Sequence, residues 1–92
     1  MTADMAMVYL TGGDMDLRRA GHVMLAAGLT EDIDMHTAGD MYLKGDKMKI
    51  SAQGRVMIVF CPADKVEQVF SLARDECGSD VSGYAVPVIA RI

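Results

Sequence analysis

The run Arg55-Val56-Met57-Ile58-Val59-Phe60-Cys61 constrains this chain more than any other segment. A continuous apolar stretch of that length reads as a central β-strand covered on at least one face. Pro62 follows at once, and Pro is favoured at the first helical position, so a helix is expected to begin there. Asp64 in its first turn and Val66, Val69, Phe70 and Ala73 along one face carry that helix to a stop before Gly78. After Ser79-Asp80 the chain is β-rich from Val81 or Tyr84 to Ile92, but it contains Pro87. A proline removes a ladder donor, which confines this last strand to a sheet edge or a bulge.

The first half repeats the pattern. Met5 to Leu10 reads as a buried strand ended by Thr11-Gly12-Gly13. Asp14 and Asp16 stand where a helix N-terminus favours capping oxygens and negative charge, and Leu17, Ala20, Met24 and Ala27 share one helical face up to Gly28, which predicts a helix over 15–27. Ile33 to Thr37 alternates like a half-exposed strand, interrupted by Ala38-Gly39-Asp40. Met41-Tyr42-Leu43 and Met48-Lys49-Ile50 flank Lys44-Gly45-Asp46-Lys47, a polar tetrapeptide of hairpin-tip composition expected to be mobile.

The order β-α-β-β-α-β in 92 residues is enough for one domain, over 1–92. Two right-handed crossovers place both helices on one face of a four-stranded antiparallel sheet with strand order 4-1-3-2, an α+β, ferredoxin-like βαββαβ fold. That order makes the fourth strand an edge, as Pro87 independently requires. The uncovered face exposes Met, Val and Tyr side chains, and oligomerisation through the sheet is the expected remedy. With 51% hydrophobic and 24% charged residues the composition is that of a folded globule without a run long enough for membrane insertion. A net charge of −4 argues against nucleic acid and anionic membranes as partners. Cys61 and Cys77 form no CxxC and lie at opposite ends of the second helix, which points to reduced thiols and a cytoplasmic location. The start, Met1-Thr2-Ala3-Asp4-Met5, lacks a basic n-region, so no signal peptide is expected.

Two stretches carry a family likeness. Val56-Met57-Ile58-Val59-Phe60-Cys61-Pro62-Ala63-Asp64-Lys65-Val66-Glu67-Gln68-Val69 resembles the strand and Pro-initiated helix start of PII proteins. Gly83-Tyr84-Ala85-Val86-Pro87-Val88-Ile89-Ala90-Arg91-Ile92 is similar to the Y-x-V-P-x-I ending of CutA proteins. The chain thus resembles the PII-like and CutA-like superfamily of small trimeric ferredoxin-like proteins, its middle hairpin standing where PII proteins carry their long T-loop. The resemblance implies a homotrimer with a ligand cleft between subunits, lined by Lys44 and Lys47 on the hairpin, Cys61, Pro62 and Ala63 after the third strand, Gly83 and Tyr84, and Arg91. It departs from PII in the loop Gly78-Ser79-Asp80-Val81-Ser82-Gly83, which has no Lys and carries Asp80, a poor cradle for triphosphate. The cofactor stays unknown.

Nine methionines invite a soft-metal reading, but Met5, Met7, Met24 and Met57 fall on predicted core faces, where thioethers fill gaps. Met35, His36 and Met41 lie on the less buried second strand or its loop and form the candidate metal set, suited to copper. His22 reads as a solvated side chain beside Arg18 and Arg19, which have Asp14 and Asp16 at helical spacing. Cys61, near a helix N-terminus, is the thiol best placed for a lowered pKa, although packing explains it more simply. Thr11-Gly12-Gly13 lacks the spacing of a phosphate loop, and no catalytic constellation assembles from two His and scattered acids, so the chain is not read as an enzyme. The leading expectation is a non-catalytic regulatory module that binds a small ligand, a nucleotide among the options, in an intersubunit cleft and a partner protein through the 38–54 loop. Metal binding or metal tolerance is the alternative, and an ACT-like oligomerisation module is a third.

Overall fold

The computed structural model describes residues 4–92; the side chains of residues 38–43 and 48–54 lie outside that description. Four strands and two helices follow in the order β1 (Met5–Gly12), α1 (Asp14–Ala26), β2 (Asp32–Lys44), β3 (Lys47–Pro62), α2 (Val66–Cys77) and β4 (Ser82–Val88). All strand pairs are antiparallel and the sheet order is β2-β3-β1-β4, the ferredoxin-like arrangement read from the sequence. β4 is an edge strand, so Pro87 interrupts no central ladder.

Strand alternation sorts the sheet into two unlike faces. Ala6, Val8 and Leu10 of β1 and Met57, Val59 and Cys61 of β3 are buried beneath Leu17, Ala20 and Met24 of α1 and Val69, Ala73 and Cys77 of α2. Each large side chain in this cluster contributes about 1.5–3 kcal/mol of burial, against about 0.2–1 kcal/mol for a surface ion pair. The helix-covered face therefore decides the fold. Met24 and Met57 belong to it as expected, but Met5 and Met7 do not. Ala6, Val8 and Leu10 take the core positions of β1, and a period of two sends its odd-numbered residues to the other face.

Two boundaries differ from the sequence reading. Pro62 ends β3 in an extended conformation and pairs with Met5, while the Ala63 amide still donates to the Asp4 carbonyl at 2.8 Å. A 3₁₀ turn, Ala63–Lys65, then leads into α2. The fixed φ of proline suits an extended residue as well as a first helical one, and the ladder to β1 decides between them. β3 also begins earlier than expected, because β2 and β3 remain paired from Asp32↔Phe60 out to Lys44↔Lys47, through an irregularity between Ala38 and Asp40. β1 stops at Gly12↔Arg55, so the two strands continue beyond it as a ribbon. From Arg55 to Lys47 the ribbon reaches about 26 Å, at about 3.3 Å per residue.

The termini of α1 are fixed by distinct means. At its C-terminus Gly28, with φ +74°, directs its N–H to the Leu25 carbonyl, and the Leu29 N–H reaches the Met24 carbonyl, a Schellman closure that tucks Leu29 into the core. At its N-terminus the capping residue is Gly13 and has no side-chain cap, so Asp14 and Asp16 act from inside the first turn. Asp14 accepts from Arg18 Nε at 3.1 Å and from Arg55 Nε at 3.0 Å, and Arg55 donates to Thr37 Oγ1 at 2.7 Å. One carboxylate thus ties α1 to β3, and through Arg55 to β2. Arg19 pairs with Asp16 at 2.8 Å as expected, and also with Glu76 of α2 at 3.2 Å.

The Arg18 hydrogen bond, helped by both guanidinium charges, holds the Asp14 carboxyl below its ordinary value of 3.8. A group whose folded pKa is depressed contributes stability above its unfolded pKa and loses it as pH falls through the folded value. The melting temperature of the wild type is therefore expected to fall more steeply than that of Asp14→Asn as pH drops below about 4. Parallel melting curves for the two proteins check this.

Candidate functional site

The open face of the sheet is built from the residues that alternate away from the helices. Met5, Met7 and Tyr9 of β1 stand opposite Pro62, Phe60 and Ile58 of β3 and opposite Val88, Val86 and Tyr84 of β4. Tyr9 and Tyr84 stack with ring centroids 5.1 Å apart. Tyr84 is 59% exposed, and Met7, Ile58, Phe60 and Val86 are half-buried. On β2 the same face carries Asp32, Asp34 and His36, opposite Phe60, Ile58 and Val56. An apolar field is thus bordered along one edge by two carboxylates and an imidazole.

A cleft of about 490 Å³ opens at the end of the sheet where β2 begins and β3 ends. Pro62, Arg91, Phe60, Glu31 and Asp32 contribute to its walls. The segment after β4 crosses the end of β1, so that the Arg91 guanidinium lies 4.3 Å from the centroid of the Phe60 ring and 3.8 Å from the Asp32 carboxylate. Thr30, buried beneath, accepts from the Asp32 N–H at 3.2 Å and donates to the Phe60 carbonyl. With two acids and one base, this cleft favours cations over polyanions.

The ligand residues implied by the family likeness do not converge within one chain. Pro62 and Arg91 share the cleft. Gly83 and Tyr84 border a separate cavity of about 320 Å³ on the open face. Gly83 pairs with Leu10 and Pro62 with Met5, a separation of about 16 Å along β1 at about 3.3 Å per residue. Lys44 and Lys47 face each other, both exposed, at the end of the ribbon. Ala63 is half-buried in the 3₁₀ turn. Cys61 points into the core at 0% exposure. The proximity to a helix start does not lower its pKa: burial, and then the Asp64 charge, raise it above the ordinary 9.0.

The metal set also separates. Met35 and His36 are neighbours on one strand and take opposite faces. Met35 borders a groove of about 260 Å³ with His22 and Met57, whereas His36 lies exposed on the open face. The side chain of Met41 falls outside the described residues. Among the described residues, no group of three or more His, Cys, Asp or Glu stands close enough to hold a metal ion. Thr30, Asp32 and Phe60, which build the cleft, were missed in the sequence. The alternation of Asp32, Asp34 and His36 on one strand face was the available signal.

Gly83 owes its identity to close approach. A Cβ there would run into the Tyr9 carbonyl oxygen and come within 2.8 Å of Leu10 Cδ2, whereas at Gly13 it would meet only Asp16 Oδ2 at 3.7 Å. Gly83→Ala is expected to cost about 2–3 kcal/mol in denaturant titrations through overpacking, and Gly13→Ala about 1 kcal/mol or less, through the loss of a favoured N-cap residue alone. Cys61 and Cys77 are both buried with raised pKa, burial being the largest cause for each. Thiol reagents are therefore expected to label neither in the folded protein and both after unfolding, a difference that mass spectrometry reads directly.

The sequence matches no family model and no curated protein. Solved structures match along nearly the whole chain. CutA1 from the psychrotrophic bacterium Shewanella sp. SIB1 superposes with a TM-score of 0.80 at 13% identity, covering 100% of this chain and 88% of that one. The divalent ion tolerance protein CutA1 from Ehrlichia chaffeensis gives 0.77 at 13% identity, with 100% and 88% covered. The periplasmic divalent cation tolerance protein CutA from Archaeoglobus fulgidus gives 0.77 at 16%, with 96% and 87% covered. The likeness to the PII-like and CutA-like superfamily is borne out in the fold: this chain has the ferredoxin-like architecture of the CutA structures.

Proposed function

We propose that this protein is a non-catalytic homotrimer that binds a divalent or soft metal ion between its copies. The observation that carries the reading is the open sheet face, on which a row of half-buried apolar side chains and the exposed Tyr84 wait for cover. The names of proteins sharing the fold, divalent ion and cation tolerance, support the choice of ligand. His36 is the proposed ligand, because it stands on the same face as that apolar field with Asp34 two residues away. Symmetry then supplies from sister copies the ligands that one chain lacks among its described residues. Met35 faces the helices and is a weaker candidate; Met41 remains part of the proposed set. A reducing, cytoplasmic setting belongs to the same reading and is supported by two buried unpaired thiols.

A second reading, a small-molecule module whose 38–54 ribbon contacts a partner protein, is favoured by the cleft that holds Pro62 and Arg91. Its acidic walls speak against nucleotide triphosphates as the ligand. An ACT-like structural module would pair as a dimer instead. Elemental analysis of protein purified without chelator, with calorimetric titration of copper and zinc, separates these readings. Stoichiometric metal, reduced at least about tenfold in affinity by His36→Ala, is expected. Metal-free protein that takes up neither ion would contradict the metal reading.

A further inference from the structure

One wall of the cleft at the start of β2 is itself a cation, Arg91, and the groups it rests against indicate what the cleft can recognise. Asp32 and Phe60 are direct partners in the β2–β3 register, so the carboxylate and the aromatic ring emerge side by side on the open face. Their spacing is held from beneath by Thr30, 5% exposed, whose hydroxyl bonds the backbone of both residues. An aromatic face beside a carboxylate attracts a flat or compact cation through the ring quadrupole and the charge together. Arg91 supplies that cation, its guanidinium 4.3 Å from the ring centroid and 3.8 Å from Asp32 Oδ2.

The hold on Arg91 is loose. The Asp32 contact is at the outer limit of an ion pair, and the two side chains are 62% and 55% exposed. The cleft alongside, about 490 Å³, is far larger than one guanidinium needs and brings a second carboxylate, Glu31, to its wall. The positive residue matched to a family ligand cleft thus rests loosely across Phe60 and Asp32, and its departure leaves an acidic and an aromatic group to meet an incoming molecule.

We propose that this cleft is a binding site for a small organic cation, a guanidinium or alkylammonium compound, and that Arg91 covers its Phe60–Asp32 corner as an intramolecular stand-in displaced by the ligand. The site rests on the small-molecule reading of this cleft, lies at the end of the sheet where β2 begins, and needs no metal at His36. Affinity in the wild type is lowered by the fraction of time that Arg91 is seated, so removing Arg91 raises it.

The test is calorimetric titration of agmatine into the wild type, Arg91→Ala and Asp32→Asn in the presence of a chelator, with inorganic phosphate as the anionic control. Saturable binding by the wild type, about three- to sixfold tighter in Arg91→Ala and lost in Asp32→Asn, is expected, with no heat from phosphate. In proton spectra the Arg91 side-chain resonances, shifted upfield by the Phe60 ring, should move back as agmatine is added. Binding in Arg91→Ala no tighter than in the wild type, or unchanged in Asp32→Asn, overturns the proposal. So does a change in oligomeric mass on Arg91→Ala, which would make the cation a side chain exchanged between copies. The chelator makes these outcomes indifferent to whether the metal reading holds.

Discussion

The two-faced sheet is the constraint on which everything else in this molecule depends. β1 and β3 are apolar on both sides, but two helices can cover only one of them. Val8, Val59, Met57 and Cys61 reach 0% exposure beneath α1 and α2, while Tyr9, Ile58, Phe60 and Val86 are left half-buried without any helix above them. Burial of the first set is sufficient to specify the fold. The second set has no such role within one chain, and its persistence on a small acidic protein is what calls for a partner surface.

Charge is distributed to match this division. Ion pairs join the elements where they meet at the helix side, as Asp14 does with Arg18 and Arg55 and Arg19 does with Asp16 and Glu76. On the open side, Asp32, Asp34 and His36 line the β2 edge, and Arg91 comes across to meet Asp32. That border suits cations over anions, which is common ground for the two proposals, a metal shared between copies and an organic ion held against Phe60. Triphosphate binding, familiar among PII proteins, is poorly served by such a border.

The architecture was legible because its signals are redundant. The apolar run at 56–61 marks a central strand, Pro87 marks an edge, and a single strand order satisfies both. Finer features depended on competition that one-dimensional periodicity does not resolve. Pro62 suited a helix start and a strand end equally, and the Asp4–Ala63 hydrogen bond chose the latter. Met5 and Met7 looked like core because β1 is apolar throughout; only the register, with the smaller Ala6 and Val8 inward, shows their true side. The site was less legible still. Met35 and His36 are adjacent in sequence and opposed in space. The Phe60–Asp32–Arg91 group joins three segments whose proximity is set by register and by the path of the chain after β4.

Sedimentation equilibrium across a wide range of protein concentrations tests the central claim most directly. Coverage of the open face by sister copies predicts a mass of three times 9.9 kDa, dissociated by a charge placed in the apolar field, as in Ile58→Asp. A wild-type protein that stays monomeric and well behaved at every concentration would contradict it.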